Sequence, residues 1–265
     1  MCRLAAYIGK PVPLGRIVVE PPHSLLHQCQ GAVEAKINIQ GDGFGLAWYD
    51  RERGPGLYRD TTPAWSDGNL PYLCAMIRSD LFLAHVRAST GSETSRQNCH
   101  PFVHEKWTFM HNGQLPDFDN VRRCLEQHLP DALYLLRRGT TDSELLFLLL
   151  IAYELQDDPA FAIRKLLDLL YDICDCGRGA HALRLTCVFS DRQRLYGFRH
   201  ASDRFAPTLY LSQLTSGYCL ASEPLDSATS TWRSVEPDHL VTLDGRDDVI
   251  GTTLPLVKAG LVASA

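Results

Sequence analysis

Met1-Cys2-Arg3-Leu4-Ala5-Ala6-Tyr7-Ile8 places a thiol immediately ahead of an apolar run that reads as a β-strand. Removal of Met1 would leave Cys2 with both its thiol and a free α-amine. A thiol alone is a modest nucleophile at neutral pH, because only a few per cent of it is thiolate. An α-amine titrates at about 7.7–8.0, so it can take up a proton as a base should. Nucleophile and base would then share one residue at the edge of a sheet. A cysteine at position 2 means nothing by itself, so the reading depends on an oxyanion hole and a substrate clamp farther along.

Outward from that strand, Pro11 and Pro13 break the pattern and Pro21-Pro22 punctuate again. Ser24 reads as the N-cap of a short helix with Leu25, Leu26, Cys29 and Val33 on one face. Gly41-Asp-Gly-Phe-Gly-Leu-Ala-Trp-Tyr-Asp50 is a glycine-rich turn that feeds an aromatic strand. It lacks the Gly-Lys-Ser/Thr of a phosphate loop and leads into a strand, not a helix, so it is read as a tight turn that brings backbone close to something else. Leu57 to Arg59 forms the return strand, Leu70 to Ile77 a short helix, and Leu81 to Arg87 a buried strand ending in a cation. Residues 88–100 are loop-like. Trp107 to Met110 is a strand that His111-Asn112-Gly113 ends, Asn-Gly being a strong hairpin signal. Helices are expected at about 118–128, 142–155 and 159–173, with Asp142 and Ser143 as caps of the second. From Leu183 onward the chain turns to short strands, at 183–189, 194–199, 208–211, 217–221 and 239–243. Strands, then helices, then strands predict α+β layers in one domain.

Taken in order, Cys2, Gly41-Asp-Gly-Phe-Gly45, His85-Val-Arg-Ala-Ser-Thr90, Asn98-Cys-His-Pro-Phe102, His111-Asn-Gly113, Thr140-Thr-Asp-Ser-Glu144 and Ala221-Ser-Glu-Pro-Leu225 resemble the class II glutamine amidotransferases, a branch of the N-terminal nucleophile hydrolases. Met-Cys-Arg, Asp-Gly-Phe-Gly and Ser-Glu-Pro-Leu look like the stand-alone subgroup with the ergothioneine-pathway γ-glutamyl amidohydrolase and the yeast-type glutathione-degrading amidotransferase subunit. The resemblance implies a four-layer αββα sandwich of antiparallel sheets, a single domain over 2–265 with Met1 removed, and no cofactor.

It also implies the roles. Cys2 attacks the δ-carbonyl of a γ-glutamyl group and forms a thioester that water hydrolyses. The Asn112 side-chain amide and the Gly113 backbone N–H supply the oxyanion donors, which makes the hairpin reading the minor one. Arg87 holds the α-carboxylate through two parallel hydrogen bonds, and Asp142 meets the α-ammonium. Thr90 is a third substrate contact. There the sequence departs from members with fused synthase domains, since the loop is one residue shorter and Gly91 follows Thr90.

Other residues take the plainer reading. Cys174-Asp-Cys176 with His181 and Cys187 matches no common zinc spacing, so free thiols and no metal are expected. His85 and His111 are read as structural, and Cys99 as a passive loop residue near the site. The 265 residues carry a net charge of −5, with basic residues scattered, which excludes a nucleic-acid footprint. No apolar run reaches the ~18 residues of a membrane span. Nine cysteines in a long chain without a signal peptide point to a reducing cytoplasm. The forty residues after Leu225 are too few for a synthase domain. Three readings follow: a γ-glutamyl amidohydrolase acting on a small molecule, a glutaminase subunit feeding ammonia to a partner enzyme, and a catalytically silent γ-glutamyl-binding module. Neither the leaving group nor the oligomeric state is legible.

Overall fold

Strand alternation builds the architecture. In β1 (Arg3–Pro13), Leu4, Ala6 and Ile8 belong to one apolar cluster, while Ala5 and Tyr7 belong to another. Opposite faces of one strand therefore feed two cores, as the two-residue period of a β-strand requires. The computed structural model describes residues 2–34, 39–50, 53–88, 93–178, 181–203, 205–227, 231–244 and 254–255.

The first sheet pairs β1 with β4 (Arg78–Val86) on one side and β10 (Gly217–Ala221) on the other. β2 (Phe44–Trp48) and β3 (Gly56–Asp60) extend it beyond β4. On the far side β9 (Tyr210–Leu214) and β11 (Trp232–Ser234) complete the order β11-β9-β10-β1-β4-β2-β3. The second sheet runs β13-β12-β8-β7-β6-β5. Its strands are β5 (Phe102–His104), β6 (Trp107–Gln114), β7 (Arg184–Ser190), β8 (Arg194–Ala201), β12 (His239–Asp244) and β13 (Leu254–Pro255). All pairings are antiparallel.

Leu4, Ala6, Leu81, Leu83 and Leu220 of the first sheet meet Met110, Val188 and Val241 of the second in the core between the sheets. Helices α1 (Gly15–Val18), α2 (Leu25–Gly31) and α3 (Leu70–Met76) cover the outer face of the first sheet. Helices α4 (Phe118–Glu126), α5 (Asp131–Tyr134), α6 (Asp142–Ala152) and α7 (Pro159–Ile173) lie on the second-sheet side. This is the four-layer αββα sandwich that the resemblance implies. α6 is buried from Ser143 to Leu150 and packs against β6, α4, α5 and α7, which explains a leucine-rich helix without a polar face.

Several expectations are corrected. β1 continues through Pro11 and Pro13, because its register shifts between Ile8 and Val12, where a missing ladder donor is tolerated. Val33 lies beyond α2 and is 80% exposed. The strand at 107 runs to Gln114, since the ladder with β7 keeps the backbone of His111, Asn112 and Gly113 extended. The cap of α6 is Thr141, whose hydroxyl accepts from Glu144 N at 3.2 Å, so Asp142 and Ser143 are not its caps. Ser24 does cap α2, accepting from His27 N.

Candidate active site

Cys2 precedes β1, and the β1–β4 ladder pairs Arg3 with Val86 and Leu4 with His85. The next step along that ladder brings the Cys2 thiol to Ala88. Sγ accepts from Ala88 N at 3.4 Å and donates to Ala88 O at 3.6 Å. By alternation Cys2 shares the face of Leu4 and looks toward the second sheet. Burial pushes its thiol pKa up, against the Ala88 hydrogen bond and the positive charges of Arg87 and Arg3.

Arg87 follows β4 and is 3% exposed. Its backbone N donates to Gly43 O at 2.8 Å and its carbonyl accepts from Asp42 N at 3.0 Å, so the glycine-rich turn fixes it. Its guanidinium reaches Asp42 O at 3.4 Å and Glu93 O at 3.3 Å. Two of its positions, Gly43 and Gly45, have no room for a side chain. A Cβ at Gly45 would lie 2.2 Å from His100 O, which is the close approach that the glycines predict.

On β6, Met110 faces the first sheet, so Asn112 does too, while His111 turns outward to Ser143 of α6. Asn112 is buried, and among the described residues neither its Nδ2 nor its Oδ1 has a hydrogen-bond partner. A Cβ on Gly113 would fall 1.9 Å from Arg184 O, so this strand position admits only glycine. His85 Nε2 lies 3.4 Å from His111 O, joining β4 to β6 next to Asn112. Asp142 accepts from Leu115 N at 3.1 Å through Oδ2, and from Ser143 N at 2.7 Å and Ser143 Oγ at 3.1 Å through Oδ1. His111 Nδ1 contacts the same Ser143 Oγ at 2.9 Å, so Asp142 is tied to the strand that carries Asn112.

The structure thus brings Cys2 to the Arg87–Ala88 segment directly, and reaches Asn112, Gly113 and Asp142 through β6. Thr90 lies outside the described residues. Among the described residues no His, Cys, Asp and Glu group of three or more is arranged to hold a metal ion, and no helix is long and apolar enough to cross a membrane.

The sequence motifs also contain supports whose task was not legible. Asn98 accepts from Thr140 N at 2.8 Å and donates to Thr140 Oγ1 at 3.0 Å, lashing the loop after Arg87 to the start of α6. Ser222 brackets Leu4, donating its N–H to Leu4 O at 2.9 Å and accepting from Leu4 N at 3.0 Å. Glu223 pairs with Arg3. The Asn98 and Ser-Glu-Pro-Leu segments pointed to these residues by type alone.

A family model described as glutamine amidotransferases class-II matches residues 17–215. A probable glutamine amidotransferase of Saccharomyces cerevisiae is 39% identical over 160 residues, which are 57% of this chain and 45% of that protein. The chain therefore aligns with less than half of the yeast protein. A gamma-glutamyl-hercynylcysteine sulfoxide hydrolase of Mycolicibacterium smegmatis is 28% identical over 249 residues, 93% of this chain and 96% of that protein. The solved structure of a glutamine aminotransferase class-II domain protein from Silicibacter pomeroyi matches with a TM-score of 0.75 at 34% identity, covering 97% of this chain and 100% of that one.

Proposed function

The chain belongs to the class II glutamine amidotransferases, and from that premise we propose that it is a cysteine amidohydrolase cleaving the amide of a γ-glutamyl compound. The observation that carries the reading is the Cys2 thiol held against Ala88 beside buried Arg87, on a face opposed by an Asn112 amide with no hydrogen-bond partner among the described residues.

The thiol needs a base, because burial favours its protonated form. The α-amine of Cys2, freed by removal of Met1, takes the proton as sulfur attacks the δ-carbonyl. Negative charge that develops on the carbonyl oxygen is met by Asn112 Nδ2–H and Gly113 N–H. Collapse breaks the C–N bond, the ammonium returns its proton to the leaving amine, and a γ-glutamyl thioester remains on Sγ. Water, deprotonated by the same amine, then hydrolyses the thioester and releases glutamate. Arg87 holds the substrate α-carboxylate and Asp142 meets the α-ammonium, with Thr90 a further substrate contact. The printed name of the mycobacterial relative, matched over nearly its whole length, supports hydrolysis of a γ-glutamyl compound other than glutamine.

The test is glutamate release from glutamine, glutathione and other γ-glutamyl compounds by wild type and Cys2→Ala. Intact mass should show a chain beginning at Cys2, and Cys2→Ala should be inactive. Release from glutamine alone would favour a subunit that passes ammonia to a partner synthase. Full activity in Cys2→Ala, or in protein that retains Met1, sinks the N-terminal nucleophile.

A further inference from the structure

Behind the first sheet, three hydrogen-bonding groups and one cation converge on one buried carboxylate. Glu223 Oε1 accepts from Glu34 N at 2.9 Å and faces Arg3 Nη1 at 3.4 Å. Oε2 accepts from Val33 N at 3.0 Å and contacts His23 Nε2 at 2.8 Å. The Arg3 and Glu223 side chains are 1% and 2% exposed. Burial would raise the Glu223 carboxyl, but the bonds from His23, Val33 and Glu34 and the charge of Arg3 hold it below its ordinary value. It is an anion, paired with a cation, in the interior.

A buried ion pair is seldom a better source of stability than apolar residues of the same size. What it supplies is direction. Arg3 is next to Cys2 and, by alternation, points to the opposite face of the sheet, so the pair lies outside the reaction space. Ser222, the neighbour of Glu223, brackets Leu4 through both backbone groups. Residues 222 and 223 therefore hold residues 3 and 4, and the thiol is one step beyond. The titratable and charged groups that act on that thiol are the α-amine, Arg87, Cys99 and, from the opposite face, Arg3, which in turn interacts with Glu223 and Glu34.

We propose that Glu223 is a positioning residue for Cys2, acting through Arg3: it anchors the start of β1 so that the thiol meets Ala88 and Asn112, and it balances the Arg3 charge behind that thiol. The proposal rests on Cys2 being the nucleophile. Its signature is a pair of opposed effects. In Glu223→Gln the Arg3 charge loses its counter-ion, so the thiol ionises more readily, while a loosened strand start misplaces it. The midpoint of Cys2 alkylation by iodoacetamide should move to lower pH, and kcat should fall by about ten- to a hundredfold. KM should change by less than about threefold, since Arg87 and Asp142 are untouched. Glu223→Asp keeps the charge and should keep the wild-type midpoint. Arg3→Met removes the cation, so its midpoint should move to higher pH.

The experiment measures alkylation of Cys2 against pH by peptide mass mapping, with steady-state glutamate release, in folded wild type and the three variants. Opposite midpoint shifts in Glu223→Gln and Arg3→Met support the proposal. An unchanged midpoint and kcat in Glu223→Gln overturn it, and if that variant does not fold, an unchanged midpoint in Arg3→Met overturns it equally. Wild-type protein that alkylates at Cys2 yet releases no glutamate would sink the proposed reaction and leave the midpoint comparison readable.

Discussion

Asn112 illustrates what a candidate site residue costs. It is 1% exposed, and both polar atoms of its side chain lack a partner among the described residues. A buried polar group left unsatisfied costs about 1–3 kcal/mol, so stability alone does not account for an asparagine here. Its neighbours behave differently: Met110 packs between the sheets and His111 is held by Ser143. Asn112→Leu, close in shape and without polar atoms, should leave the melting temperature unchanged or raise it, while kcat falls about 10²–10³-fold if the amide is the proposed oxyanion donor. Differential scanning fluorimetry and glutamate release on the same preparation check this. A lower melting temperature with intact activity would make Asn112 structural. The residues at 2, 87, 112 and 142 could be singled out in the sequence as candidates because their chemistry is specific. The orphaned amide could not, because it depends on what β7 and the first sheet leave unoffered.

At the scale of elements, the start of α6 shows where sequence patterns mislead. Thr141-Asp-Ser-Glu144 has the form of a capping box, and Thr141 does bond Glu144 N. Glu144, however, turns back farther, accepting from Arg138 N at 3.0 Å and Gly139 N at 2.6 Å, so it folds the preceding turn. Asp142, freed from capping, ties the helix to the end of β6 through Leu115 N. The same limit explains Asn112-Gly113: local preference reads a turn, but pairing with Thr186 and Leu185 extends the strand. It also explains β5 and β11, three residues each, which carry too short a pattern to be seen. Asp142→Asn tests the assignment. Its NH2 must face a backbone donor, Leu115 N or Ser143 N, and the mismatch should destabilise by about 1–3 kcal/mol. If Asp142 also meets the substrate ammonium, kcat/KM should fall far more than the loss of folded protein explains, at a temperature well below melting. Activity that tracks the folded fraction alone would return the residue to a structural role.

The layers of the whole molecule were legible because alternating strands demand two cores, but what stacks at their junction was not. His85 and His100 lie with ring centroids 4.1 Å apart, and His111 stands on the facing strand. Burial lowers the pKa of His85 to about 3 and that of His100 well below the ordinary range, with the rings adding mutual repulsion for His100. His111 is lowered by burial too, against the attraction of Asp142. These imidazoles are neutral in the fold, and the unfolded chain titrates them near 6.5. Below that value the unfolded state binds more protons, so stability must fall as pH falls. Each of His85 and His100 removes up to about 1.4 kcal/mol per pH unit, and the two together about 2.7. Glu223, held below its ordinary value, contributes stability that is lost only at more acid pH. Acid loss should therefore begin with the histidines. Melting temperature followed by circular dichroism should decline from about pH 6.5 downward, and His100→Leu should flatten that decline. A melting temperature that holds level from pH 7 to 5 would show that the three rings accept protons inside the fold, and would rule out the neutral histidines between the sheets.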